Sequence, residues 1–428
     1  RRVHGEKKMV QTEATNCSFW LPKKNRYCSN TLLVGDSRFC GNHNLRLDEA
    51  WVQCPIDSSH SVLKENVQSH IKRCPSLKQM QFLSRQPYYC KGINSEIDDT
   101  GEITSEMKRK YVHSMAISEF RNFLLKVESL HNSLCGVISE SFKAPIECAA
   151  WLKGEIGRNV PFQEKHVIQQ ASIVGNLEEF GVLGKGYNQS KNIISAVIEF
   201  GAGRGYLTQM ITDSYGINRV VLVERKAYKL KADRSLRQRE ALKLERLRID
   251  IEDLNLKAVE SLQDTPYLAL GKHLCGSATD LTLRCCLNNT SNTHIMGLAV
   301  ATCCHHLCLW RHYINKGLMM SLGVNQDEFN VLTWLTSWAV DGEHGSEGGN
   351  ESEALVGNCC SVEGFARSMN RKEKKDLGFK CKEIIDVGRI LWVKEKGLEG
   401  KLVKYVHKSV SPENHLLVVN SLNKEKDV

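Results

Sequence analysis

Ala196-Val-Ile-Glu-Phe-Gly-Ala-Gly-Arg-Gly-Tyr-Leu-Thr208 is the stretch from which the fold is read. Ala196 to Phe200 is apolar apart from Glu199 and predicts a buried strand. Gly201, Gly203 and Gly205 then predict a tight turn, and Tyr206 to Ser214 a helix. A strand, a glycine turn and a helix in this order bring backbone N–H groups close to a nucleotide-like ligand. A dinucleotide fingerprint would need its third glycine at position 206, where the chain has Tyr206. The pattern present is G-x-G-x-G preceded by an acid.

Downstream, Arg219-Val-Val-Leu-Val-Glu224 predicts a second strand ending in an acid. Glu224 lies about 20 residues past the glycines, where an acid can accept from the ribose hydroxyls of an adenosine ligand. Leu247 to Asp253 predicts a third strand running into an acidic loop. Tyr267 to Gly276 predicts a fourth strand, followed by a helix to Leu287 capped by Ser277 to Asp280. Ile295 to Thr302 predicts a fifth strand. The alternation implies an α/β fold with an open parallel sheet, in which ligands bind outside the carboxyl ends of the strands. Two polar strand exits, Lys272-His273-Leu-Cys275 and Cys303-Cys304-His305-His306, are therefore expected to face the crevice that holds the glycine turn.

The 428 residues suffice for one large or two to three smaller domains, and the formal net charge of +9 suits an anionic partner such as nucleic acid. No stretch is long and apolar enough to span a bilayer, and no signal peptide is seen. The chain begins at Arg1 and not at Met, so residues upstream are expected. The seventeen cysteines, in a chain without a secretion signal, are expected to stay reduced and to serve first as metal ligands. An intracellular protein is expected, nuclear or cytoplasmic.

Two sets of ligand-type residues open the chain. Cys17, Cys28, Cys40 and His43 form a Cys3His set, and Cys54, His60, His70 and Cys74 follow as a Cys2His2 set in the order C-H-H-C. Each can close a tetrahedral zinc site. Val67 to Arg73 predicts a helix that puts His70 and Cys74 on one face. Structural zinc does no redox chemistry, so the two modules are expected to shape a binding surface and not to do chemistry. Lys23, Lys24, Arg26, Arg38, Lys72 and Arg73 could meet phosphates there, with an ordinary solvated face as the alternative.

Here a resemblance enters. Glu199-Phe-Gly-Ala-Gly-Arg-Gly is similar to the first motif of S-adenosylmethionine (SAM) methyltransferases, and the two metal sets resemble CCCH and CHHC zinc fingers. Lys272-His-Leu-Cys-Gly-x-Ala-Thr-Asp280, Cys303-Cys-His-His-x-Cys-x-Trp-x-x-Tyr313, Asp386-x-Gly-Arg389 and Ser411-Pro-Glu-Asn414 resemble motifs of one family. It is the family of eukaryotic tRNA 2′-O-ribose methyltransferases that modify the fourth nucleotide of the acceptor stem. The resemblance covers most of the chain. It implies a Rossmann-like class I SAM methyltransferase domain over residues 163–422, after a CCCH finger at 12–48, a CHHC finger at 50–77 and a helical linker at 78–162. It implies SAM and two structural Zn2+ as cofactors and tRNA as partner, with no membrane and no obligate protein partner evident. Glu199, Gly201, Gly203, Gly205, Glu224 and Asp250 are the expected cofactor-binding residues, with Asp250 accepting from the adenine amino group and Glu252 or Asp253 capping the next helix.

Between these motifs, residues 92–106 read as a polar linker and Ser118 to Leu134 as an amphipathic helix. Gln163 to Phe180 predicts a helix that packs on the sheet or, by the resemblance, covers the cofactor. Arg225 to Arg248 predicts a basic helix, an RNA track or a solvated helix. Asp341 to Glu353 predicts a loop, Asp376 to Leu398 a helix, and Lys401 to Val406 and His415 to Asn420 the last strands. The Lys-Asp-Lys-Glu tetrad of many ribose methyltransferases cannot be placed. The expected catalytic residues are Lys272, stabilising the developing alkoxide, and His273 or His305, accepting the proton. Positioning without a base is the opposing reading. Cys303, Cys304, His305 and His306, with Cys275 or Cys308, also invite a metal; adjacent ligands strain one tetrahedral ion, so an unmetallated wall is expected. A methyltransferase of another acceptor, or a catalytically silent zinc-finger RNA-binding protein, is the alternative to the tRNA reading.

Overall fold

Hydrophobic runs bounded by glycine turns build a seven-stranded sheet with helices on both faces. The computed structural model describes residues 17–18, 20–21, 26–28, 51–57, 60–96, 103–156, 163–184, 194–226, 234–288, 294–340 and 361–421. The chain forms two compact units, 1–84 and 85–428. The sheet belongs to the second: β1 Ala196–Phe200, β2 Arg219–Val223, β3 Lys243–Leu247, β4 Tyr267–Cys275, β5 Ile295–Cys303, β6 Glu399–Lys404 and β7 His415–Asn420. Its order is β6-β7-β5-β4-β1-β2-β3. The first five strands are parallel; β7 runs antiparallel to β5, with Leu417 opposite Val300, and antiparallel to β6. Every residue of β1 is buried, as expected of a central parallel strand covered on both faces. The strand order reverses between β1 and β4, which is the switch point where such sheets open a crevice.

Helices α1 Ser105–Ser114, α2 Ile117–Leu134, α3 Glu164–Glu179, α4 Tyr206–Tyr215, α5 Ser277–Leu287, α6 Gln326–Leu335 and α7 Arg371–Glu395 complete the frame. One core, around Ile173, Leu177, Val197, Leu207 and Met210, packs α3 and α4 on the sheet. A second joins Phe120, Phe123 and Val127 of α2 to Phe329, Leu332, Cys381 and Ile384 of α6 and α7. Both α1 and α2 thus belong to the catalytic unit, although the sequence reads them as linker.

The structure corrects several local readings. The third strand is Lys243–Leu247, four residues earlier than expected, and it occupies the end of the expected basic helix. Of that helix only the turn Arg234–Arg237 forms among the described residues; Lys229 and Lys231 lie outside them. Ser277 to Asp280 are the first turn of α5 and not its cap, which is Gly276 without a side-chain bond. The start of the expected linker 92–106 is not free. Asn94 is buried and its amide donates to the carbonyls of Ile251 (2.7 Å) and Leu254 (2.8 Å), pinning the acidic loop after β3. The loop expected at 341–353 lies outside the described residues.

In the first unit, Trp20–Leu21 pairs with Arg26–Tyr27 and Trp51–Gln53 with Ser61–Leu63, both antiparallel. Among the described residues no helix is long and apolar enough to cross a membrane.

Candidate active site and metal centre

Gly201, Gly203 and Gly205 have φ of +59°, +51° and +68°, the left-handed region that only glycine enters without strain. A Cβ on Gly205 would also press to 3.1 Å from Leu222 of β2. The turn wraps one wall of a cavity of about 1000 Å³. Two acids brace it. Glu199 is buried and accepts from the Thr208 backbone N–H (3.1 Å) and hydroxyl, tying β1 to α4. Burial pushes its carboxyl up to about 7. Glu224 accepts from the Gly203 N–H at 3.2 Å and from the Lys226 N–H at 3.1 Å. A carboxylate offers about four acceptor sites, so Glu224 keeps capacity for a ligand's hydroxyls. Asp250 caps the short turn Ile251–Asp253 through the Glu252 N–H (3.1 Å) and meets Arg225 at 3.4 Å. All six expected cofactor residues line this cavity. Its glycine cradle and the two acids at successive strand ends suit an adenosine ligand such as SAM.

The exit of β4 supplies a further part of the lining. The β4–β5 register shifts between Lys272 and Leu274, and His273 between them has φ +65°. His273 is the bulged residue, and a bulge next to a site re-aims its side chain. His273 is exposed and lines the cavity, while Lys272 beside it is buried. Burial pulls the Lys272 ammonium down to about 8, with the nearby Glu199 charge resisting. Its Nζ lies 3.2 Å from Nδ1 of His166 on α3. Partial desolvation lowers the imidazole of the more exposed His166, and Lys272 lowers it further. His166 was missed in the sequence. The signal was the polar run at the core of α3, where Gln169, Gln170 and Asn176 are buried.

His305 is placed elsewhere. It is 1% exposed, its Nε2 is 2.9 Å from Asp386, and it does not line the cavity. Asp386 also accepts from Thr302 (2.9 Å) and His415 (2.8 Å) and pairs with Arg389 at 2.8 Å. Arg389 in turn grips Asp280 of α5 at 2.5 and 3.1 Å and reaches the Gly276 carbonyl at 3.3 Å. This buried cluster clamps the exits of β4 and β5 from below. His306 does not join it; Lys108 of α1, 3% exposed, donates to the carbonyls of His306 (3.1 Å) and Cys308 (2.6 Å).

The metal centre lies in the first unit. His60 Nε2 is 3.1 Å from His70 Nε2, His70 Nε2 is 3.2 Å from Cys54 Sγ, and the Cys54 and Cys74 sulfurs are 3.8 Å apart. All four donors fall within 4.8 Å of one another. Two thiolates and two imidazoles on this spacing fit tetrahedral Zn2+. The short helix ends at Ile71, so Cys74 comes from the cap of the next helix and not from one shared face. In the other finger Cys17 and Cys28 are both buried, while Cys40 and His43, with Lys23, Lys24 and Arg38, lie outside the described residues. The Arg26 side chain is likewise outside them, and Lys72 and Arg73 are exposed.

Comparison with known proteins agrees with this division. The family model described as methyltransferase TRM13 matches residues 168–420. Models of the CCCH zinc finger in TRM13 protein and of the U11-48K-like CHHC zinc finger match residues 15–44 and 51–75. The Oryza sativa subsp. japonica tRNA:m(4)X modification enzyme TRM13 is 47% identical over 228 residues, 50% of this chain and 90% of that protein. The Mus musculus homolog is 28% identical over 470 residues, covering 94% of this chain and 93% of its own. The Saccharomyces cerevisiae enzyme is 27% identical over 497 residues, covering 96% and 97%. Because the first model spans more than half of the chain, including the whole strand set that carries the cavity, the chain belongs to the TRM13 methyltransferase family.

Proposed function

We propose that this SAM-dependent methyltransferase acts on tRNA, transferring a methyl group to the ribose 2′-hydroxyl of nucleotide 4 in the acceptor stem. The relatives named above are tRNA:m(4)X modification enzymes. The observation that carries the reading is one cavity lined both by a nucleoside cradle and by Lys272 and His273. When bound, SAM supplies a methyl group on a positively charged sulfur. The chain has to align the acceptor oxygen and take its proton. His273, turned into the cavity by the bulge, accepts that proton. Lys272, held by His166 and Glu199, stabilises the alkoxide as it forms. The zinc fingers and the net positive charge supply affinity for the phosphate backbone.

The test is incubation with labelled SAM and bulk tRNA, digestion to nucleosides and mapping of the label. Label in a 2′-O-methylnucleoside at position 4 is expected. Label on a base, on protein or at another position would refute the acceptor.

Glu224→Ala is expected to weaken SAM binding by about 10–100-fold, the loss of charged hydrogen bonds of about 1.5–3 kcal/mol. Calorimetry with the intact chain measures it, and an unchanged Kd would remove Glu224 from the cradle. The pH profile tests Lys272. Its pKa, lowered to about 8, means that the ammonium is lost as pH rises past 8. If the charged form stabilises the alkoxide, single-turnover rates fall above pH 8, and Lys272→Met abolishes that fall. Rates that climb through pH 8 would instead make the neutral amine the base.

A further inference from the structure

Three thiols of the second unit meet at the exits of β4 and β5. Cys275 closes β4, Cys303 closes β5, and Cys304 follows. Cys275 and Cys303 are register partners across the sheet, with their sulfurs 3.6 Å apart. The sulfurs of all three lie within 4.8 Å of one another. Two adjacent cysteines in an extended strand would point to opposite faces. Here Cys304 has φ +50°, a left-handed residue that starts the short turn His305–Leu307 and leaves its sulfur beside those of Cys275 and Cys303. The histidines that follow do not join the group: His305 is committed to Asp386.

We propose that Cys275, Cys303 and Cys304 form a third zinc site. The spacing is the argument. In a tetrahedral site with Zn–S near 2.3 Å, sulfurs stand about 3.8 Å apart. The two cysteines of the CHHC finger are 3.8 Å apart and Cys275–Cys303 3.6 Å. A disulfide needs about 2.05 Å and would use two of the three sulfurs, leaving the third without a role. Thiolate donors select a borderline-soft cation of the zinc class over magnesium or calcium. No fourth Cys, His, Asp or Glu joins the group among the described residues. Three protein ligands leave one position for water or another small donor, and Cys275 puts the site on the cavity wall. The ion would cross-link the two strand exits that carry Lys272, His273 and the glycine-capped helix α5. The inference goes beyond the methyl-transfer reading and does not depend on the identity of the acceptor.

The experiment is a zinc count by plasma mass spectrometry on the intact chain, purified under reducing conditions, for wild type, Cys275→Ser and Cys304→Ser. The wild type is expected to hold one more zinc per chain than either variant. Because the two fingers are common to all three proteins, the difference and not the total is decisive. Cys275 is exposed and Cys304 half-buried, so Cys275→Ser is the variant that keeps the fold if Cys304→Ser does not. In the wild type reconstituted with Co2+, Cys304→Ser is expected to remove part of the thiolate-to-cobalt absorption. Equal zinc content in wild type and Cys304→Ser, or a Cys275–Cys303 disulfide in the reduced preparation, overturns the proposal.

Discussion

Arg389→Ala is expected to lower the stability of the catalytic unit by about 3–5 kcal/mol, the range for removing one partner of a buried ion pair. Arg389 is 1% exposed and joins Asp280 on α5 to Asp386 on its own helix α7. Its Nη2 also reaches the Gly276 carbonyl and the Cys308 sulfur, 3.3 and 3.2 Å away. Without the guanidinium, two buried carboxylates face each other with water excluded. Asp386, held well below the usual carboxylate range by His305, His415 and Arg389, would lose one of its positive partners. Arg389→Lys should recover little, because an ammonium cannot serve Asp280 through two nitrogens while holding Asp386. Hydrogen exchange read separately for residues 85–428 is the suitable measurement, since a chain of two compact units need not unfold in one step. A loss under about 1 kcal/mol would mean that water reaches the cluster and screens it.

His273→Ala is expected to reduce the single-turnover rate by about 10²–10⁴-fold, the usual contribution of a positioned proton acceptor, with SAM affinity unchanged. His305→Ala gives the contrast. The imidazole of His305 lies against Asp386 beneath the sheet exits, so its removal should cost stability more than rate. Near wild-type turnover in His273→Ala, with RNA and SAM both saturating, would leave positioning as the whole mechanism and return His273 to the cavity wall.

The two histidines illustrate what the sequence could and could not tell. Both follow a buried apolar strand and both sit in motif-like runs, so local pattern gives them equal standing. They are separated by a one-residue bulge that aims His273 into the cavity and by an aspartate 81 residues away that claims His305. Local features were legible. The glycine turn, the strands β1, β2, β4 and β5, and the spacing of Cys54, His60, His70 and Cys74 all lie within short windows, where hydrophobic period and ligand spacing carry the information. The order β6-β7-β5 was not derivable from these windows, although both of the last two strands were expected. The Arg389 cluster was invisible for the same reason. Its partner Asp280 lies 109 residues away, and the run Asp386-x-Gly-Arg389 shows nothing of what faces it. The third strand was misplaced because Lys243 to Leu247, at a sheet edge, breaks alternation with adjacent Glu245 and Arg246, whereas Leu247 to Ile251 alternates apolar and charged residues as a half-buried strand does.

Lys108 bears on how this module can be inherited. Its ammonium sits in a socket made by the His306 and Cys308 carbonyls and the Thr333 hydroxyl, and burial pulls it down to about 8. A fragment trimmed to the sheet and its crossover helices would strip that socket of its plug and bare the apolar face that Phe120, Phe123 and Val127 cover. Any gene fusion or domain swap that transplants the methyl-transfer chemistry onto another RNA-targeting head therefore has to carry α1 and α2 with it. The natural seam for recombination lies between residues 84 and 85, because Asn94 already holds the loop after β3, upstream of the segment that a sheet-centred comparison would mark as the enzyme.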